Sequence, residues 1–301
     1  MTGRQFLGLI KKAIAAWSDD YAASMGAALS YYTLFSITPL LVIVIAIAGF
    51  FFGSDAARGE ILLQLSELMG SEGARAVEAM LQSANKPQEG GVAALISVAL
   101  LVVGATTVLN ELQNDLDRIW RAPVAKKKSG IATFARSRLL SVVMILTIAF
   151  VLMVSLVFSA TIAALGKWLG SWFHGWEVLG HALDLVISFG LMTVLFALIY
   201  KIVPRVRIRW HDVWVGAAVT SLLFAIGKVL IGLYLGKTHI SSGFGAAGSL
   251  VLVMVWVYYS AQIFLIGAEF TWVYAHEYGS RRGSTQGADA VTKPSIDTRL
   301  T

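Results

Sequence analysis

Residues 246–274 read AAGSLVLVMVWVYYSAQIFLIGAEFTWVY, with one acid, Glu269, and no Lys or Arg in the whole run. A bilayer core of about 30 Å needs about 20 mostly apolar residues as helix. Inside hydrocarbon a segment must satisfy its own backbone hydrogen bonds, which a helix does unaided. The stretch therefore reads as a transmembrane helix, and it decides the fold class. Five further segments pass the same test, roughly 24–53, 92–113, 138–165, 180–203 and 211–235. The expected fold is an all-α integral membrane protein with six transmembrane helices.

Composition agrees. Of 301 residues 57% are hydrophobic and only 14% charged, with a mean hydropathy of +0.72, too apolar for a soluble domain of this length. Cysteine is absent, which excludes disulfides, thiolate metal sites and a cysteine nucleophile. The net charge of +6 reports where the loops lie, because Lys and Arg collect on the cytoplasmic side. It is no argument for nucleic acid as a partner.

Loop charge fixes the expected orientation. The second loop carries Arg118, Arg121, Lys126, Lys127, Lys128, Arg136 and Arg138, and the fourth Lys201, Arg205, Arg207 and Arg209, whereas the third and fifth carry one lysine each. Both termini are accordingly expected in the cytoplasm. The first loop, 54–91, has six acids against three bases and apolar residues at helical spacing, so it reads as an external helical cap. Residues 1–20 form a cytoplasmic amphipathic helix, with Phe6, Leu9, Ile10, Ala13, Ile14 and Trp17 on one stripe and Arg4, Lys11 and Lys12 off it. Such a helix lies on the membrane surface or packs on the protein's own cytoplasmic face. The membrane domain covers 21–278, and the Gly/Ser/Thr-rich tail 279–301 is expected to be disordered.

Several polar residues fall where lipid is expected. The first span holds SYYTLFSITPLL, residues 30–41, with Tyr31, Tyr32 and Ser36 before Pro39. Proline removes a backbone donor and crowds the carbonyl of Phe35, which predicts a kink, either a hinge lining a substrate cavity or a packing feature. Glu111, Asp184, Lys228 and Glu269 lie in or at the ends of spans. At about 1.5 Å per residue, Asp184 and Lys228 share the external level, while Glu269 sits about 35 Å down the sixth helix, near its cytoplasmic end. Two polar layers follow: an outer pair, Asp184 with Lys228, and an inner cluster of Glu111 and Glu269 with Arg118, Arg121 or Arg205. Charges at membrane depth face a bundle interior or cavity and mark functional sites, or else they are structural ion pairs or side chains snorkelling from helix ends. Gly232 and Gly236, four apart, are suited to helix packing within or between subunits.

Motifs of soluble chemistry fail. GFGAAG at 243–248 matches G-x-G-x-x-G, but it leads into an apolar helix rather than a βαβ unit. No two of the five histidines have zinc-helix spacing, no nucleophile elbow or Walker loop is present, and neither a metal nor a cofactor is expected.

The stretches AALSYYTLFSITPLLVIV (27–44), NELQNDLDRIW (110–120), PRVRIRWHDVWVGA (204–217) and GFGAAGSLVLVMVWVYYSAQIFLIGAE (243–269) together resemble the YihY/BrkB membrane proteins, once labelled ribonuclease BN. The likeness covers roughly residues 10–278 and rests on the order and spacing of its motifs. It implies a polytopic inner-membrane protein with both ends cytoplasmic. It brings no catalytic residues, and it places Glu111, Asn114 and Trp120 beside a membrane rather than in a nuclease centre. Some relatives are associated with serum resistance or with moving lipid precursors of the envelope. The expectation is a transporter or lipid flippase for an amphiphilic, anionic envelope molecule, without its own ATPase. Its partners would be membrane lipids and a second copy of the chain. A non-transporting scaffold of envelope assembly is the alternative, and a hydrolase or nuclease is the weakest class.

Overall fold

The computed structural model describes residues 3–84, 107–123, 154, 161, 176–237 and 248–282, and all regular structure among them is helical. In chain order the elements are α1 (Gly3–Asp19), α2 (Ala22–Phe52), α3 (Ser54–Ala84), α4 (residues 107–119), α5 (Trp176–Ile202), α6 (Trp210–Lys237) and α7 (Gly248–Glu277). Four helices are long and apolar enough to cross a bilayer: Ala22–Phe50, Leu185–Ile202, Trp210–Leu233 and Leu250–Glu277. They coincide with the first, fourth, fifth and sixth expected spans. Most of the second and third expected spans fall outside the described residues, as does the tail beyond 282.

The helix α7 is the hub, packed against α1, α2, α3 and α6. Its contact with α6 rests on small residues placed reciprocally. A Cβ on Gly216 would lie 1.7 Å from Thr271 Oγ1, and one on Gly267 would lie 2.0 Å from Thr220 Oγ1. The pairs Gly216–Thr220 and Gly267–Thr271 thus let two backbones approach, the small-residue packing that membrane helices use where no hydrophobic gain separates protein from lipid. Each threonine hydroxyl donates to the carbonyl of its own glycine four residues back, both at 2.7 Å. From α5, Tyr200 donates to the Phe264 carbonyl at 2.8 Å and lies 3.1 Å from the Thr220 hydroxyl. Among the described residues a Cβ on Gly232 would meet nothing within 4 Å, whereas one on Gly227 would meet Ile263 and Tyr259.

The first span runs through Pro39 as one continuous helix. Its buried positions Ala22, Met25, Leu29, Ser36, Val44 and Ala48 keep helical spacing on both sides of the proline, so one face stays on the bundle throughout. It ends at Gly53, whose φ of 87° lies in the region that favours glycine and whose N–H reaches the Gly49 carbonyl at 2.9 Å. The cap α3 breaks at Gly70 (φ 80°, ψ 168°), and Arg58 meets Glu78 at 3.7 Å across the fold-back. It is anchored to α7 by Trp256, whose indole donates to the Leu68 carbonyl at 3.1 Å. An aromatic series, Trp256 to Phe224 to Phe196 to Tyr200, continues from there into the core.

At the opposite end α1 packs on α7, with Leu9 and Ala13 buried against Phe270, Val273 and Tyr274. Leu7 and Ile14 remain more than half exposed. Only one edge of the amphipathic stripe is therefore covered by protein, which joins the two expectations for this helix: part of its apolar face sits on the chain, and part stays open.

A buried carboxylate under the first helix

Glu269 lies on α7 between Gln262 and His276, each seven residues away. Seven residues turn an α-helix almost two full times, so the three side chains share one side, opposite the Gly267–Thr271 face. That side is covered by α1 and the corner into α2. The Trp17 indole donates to Gln262 Oε1 at 3.0 Å, and Gly26 admits the amide, since a Cβ there would lie 1.9 Å from Gln262 Nε2. The corner turns at Tyr21, a non-glycine residue with φ 57°, held by its N–H to the Ser18 carbonyl at 3.2 Å. This turn brings Asp20 and Asp19 to Glu269. Further along, Lys12 pairs with Glu277.

Arg121 approaches from a third element, just past α4, with its guanidinium 4.7 Å from the Trp272 ring centre. Asp20, Arg121 and Asp19 are the charged groups that act on Glu269. The carboxylate is 1% exposed, and neither oxygen has a hydrogen-bond donor; the side chain within reach is Asp20, itself an acceptor when ionised. Gln262 Nε2 is also without one. An ionised carboxylate removed from water and left without donors costs on the order of several kcal/mol. Below it, an open cleft of about 450 Å³ lies between α1 and the end of α7, lined by Lys12, Ala16, Trp272, His276, Glu277 and Arg282 among others.

A second acidic group lies on α4. Asp115 is 6% exposed and its Oδ2 has no partner. Burial, then the neighbouring charge of Glu111, pushes its carboxyl up to about 7, against the pull of Arg118. Asp117 is raised by burial too, but Arg205 opposes the shift, donating its backbone N–H to Oδ1 at 2.7 Å and placing Nε 3.4 Å from Oδ2. With Gln113 donating to the Val203 carbonyl at 2.9 Å, α4 is clasped to the turn between α5 and α6.

The expected inner cluster is thus divided. Arg121 acts on Glu269, Glu111 and Arg118 act on Asp115, and Arg205 holds Asp117. Arg118 also lies over the Tyr21 ring at 5.8 Å. Asn114 is exposed. On the first span Tyr31 is 54% exposed and meets Tyr32 and Phe35 edge-on at 5.6 and 5.1 Å, whereas Ser36 is buried and Pro39 half-buried. Lys228 is exposed on α6 and makes no ion pair among the described residues; the side chain of Asp184 lies outside them, so the expected outer pair does too. Sequence reasoning missed Trp17, Asp19, Asp20, Gln262, Asp115 and Asp117. The seven-residue spacing of Gln262, Glu269 and His276 was the signal that could have found the polar side of α7. Among the described residues no group of three or more His, Asp or Glu is placed to hold a metal ion.

Apolar helices long enough to span and gathered round a common core define a multi-pass membrane protein. The model of the family described as Virulence factor BrkB matches residues 13–292, and the chain belongs to that family. It is similar to a UPF0761 membrane protein of Psychromonas ingrahamii, 30% identical over 252 residues that cover 81% of this chain and 79% of the relative. A UPF0761 membrane protein of Tolumonas auensis is 27% identical, covering 85% and 81%, and one of Vibrio vulnificus is 26% identical, covering 98% and 90%. No solved structure matches the chain.

Proposed function

We propose that this protein is an inner-membrane transporter that moves an amphiphilic envelope molecule through its helix bundle without an ATPase of its own, with the α1 end of the bundle in the cytoplasm. The observation that carries the reading is Glu269, a carboxylate inside an apolar span, shielded from lipid by three converging elements and left without a hydrogen-bond partner. A purely structural charge at that depth finds a salt bridge or donors; one without them is suited to exchanging a proton or meeting a ligand. Supporting it are the basic residues at the same end, Arg118, Arg121, Arg205, Arg281 and Arg282, which suit an anionic substrate.

The test is reconstitution in liposomes carrying fluorescent anionic and zwitterionic phospholipids. Wild-type protein should speed movement between leaflets over empty vesicles, and Glu269→Gln should return the rate toward the empty-vesicle value. Equal rates in all three preparations overturn the proposal and favour a scaffold.

A further inference from the structure

We propose that Glu269 is a proton-binding site, and that its proton keeps the corner between α1 and α2 seated on α7. The site is built by three elements. On α7, Glu269 is buried with both oxygens unpartnered, and Gln262, one seven-residue interval away on the same side, is engaged by Trp17 of α1. The corner supplies Asp20 and Asp19, and the segment after α4 supplies Arg121, which stacks on Trp272. Three carboxylates thus converge with one arginine, Glu269 buried, Asp20 half-buried, and Asp19 and Arg121 exposed at the edge. A proton on Glu269 lowers the net negative charge by one and turns one oxygen into a hydrogen-bond donor that Asp20 is placed to accept from. Without it, Glu269 repels the corner that covers it, and that end of α1 is held by the Trp17–Gln262 bond, while the Leu9 and Ala13 packing and the Lys12–Glu277 pair hold the rest of the helix.

The open cleft supplies the route. It is bounded by Lys12 and Ala16 of α1 and by Trp272 and His276 of α7, and Trp272 and His276 stand one and two turns from Glu269 on its own side of the helix. Water in the cleft can therefore deliver a proton from the α1 end of the bundle, while Leu7 and Ile14 leave the opposite edge of α1 open to lipid. The charged groups around the mouth are Lys12, Glu277 and Arg282, with Arg281, Arg121 and Asp212 acting on His276. The use of the proton in transport rests on the function proposed above; the proton site and the latch do not.

Infrared difference spectroscopy of the full chain in lipid nanodiscs, titrated from acid to base, reads the site directly. A carbonyl band of a buried carboxylic acid should disappear as pH rises in the wild type and be missing in Glu269→Gln. Asp20→Asn should move the transition to lower pH and Arg121→Gln to higher pH, each by about one unit. Amide hydrogen exchange over residues 12–21, corrected for the intrinsic rise with pH, should increase through the same transition in the wild type and stay level in Glu269→Gln. A wild-type spectrum with no band assignable to Glu269, or exchange in α1 that ignores the transition, overturns the proposal. A titrating band in protein that moves no lipid would leave the site standing and remove transport; lipid movement without the band would do the reverse.

Discussion

Opposite faces of α7 handle polar atoms in opposite ways. On the face toward α6, Thr220 and Thr271 each bond to the carbonyl of the glycine one turn back, and Tyr200 closes onto the Phe264 carbonyl. Turned by about half a circle, the face toward α1 leaves both Glu269 oxygens and the Gln262 Nε2 without partners, although those atoms are buried. The first arrangement is what a stable helix crossing requires. The second gives up stability at the same depth, on the same helix, for a group whose charge can change.

Substitutions can break the first face and sharpen the second. The largest effect is expected from Gly267→Leu, whose side chain would be forced into Thr220 and the Tyr200 hydroxyl. It should lower stability by about 3 kcal/mol or prevent folding, read as loss of a cooperative thermal transition in detergent. Next comes Asp115, away from α7. Its folded-state pKa of about 7 lies above the ordinary 3.8, so folding disfavours the charged form. Wild-type stability should fall as pH rises from about 4 to about 7 and stay low above that, and Asp115→Asn should recover about 2 kcal/mol at alkaline pH and nothing at acid pH. Tyr200→Phe should cost about 1 kcal/mol with no change in pH response, because it removes one satisfied hydrogen bond. Smallest in stability is Glu269→Gln, expected to be neutral or to gain up to about 1 kcal/mol. A loss of several kcal/mol there would make the two faces of α7 alike and Glu269 a structural residue.

The four spans could be read from sequence to within a few residues because an unbroken apolar run of that length admits one solution in lipid. For α7 the expected 246–274 became Gly248–Glu277. The cap was legible as helix but not as a fold-back, since the positive φ of Gly70 is invisible among helix formers. The level of Glu269 along its helix followed from counting residues. Its neighbours did not: Glu111 shares that level by count, yet the structure sets it beside Asp115, one turn along its own helix. Asp19 and Asp20 read as the end of a surface helix, and only the left-handed turn at Tyr21 carries them to Glu269.

Sequence alone therefore determined that the chain is an all-helical membrane protein, where its apolar helices begin and end, and that a carboxylate stands near the end of the last one. Those properties depend on composition and on the rise of a helix, which are local. Tertiary structure decided which side of each helix meets which neighbour, and so which glycines carry contacts, which cations find acids and why Glu269 finds no donor. Rise along an axis is fixed by residue number, but rotation about it and the choice of partner come from packing between elements far apart in the chain.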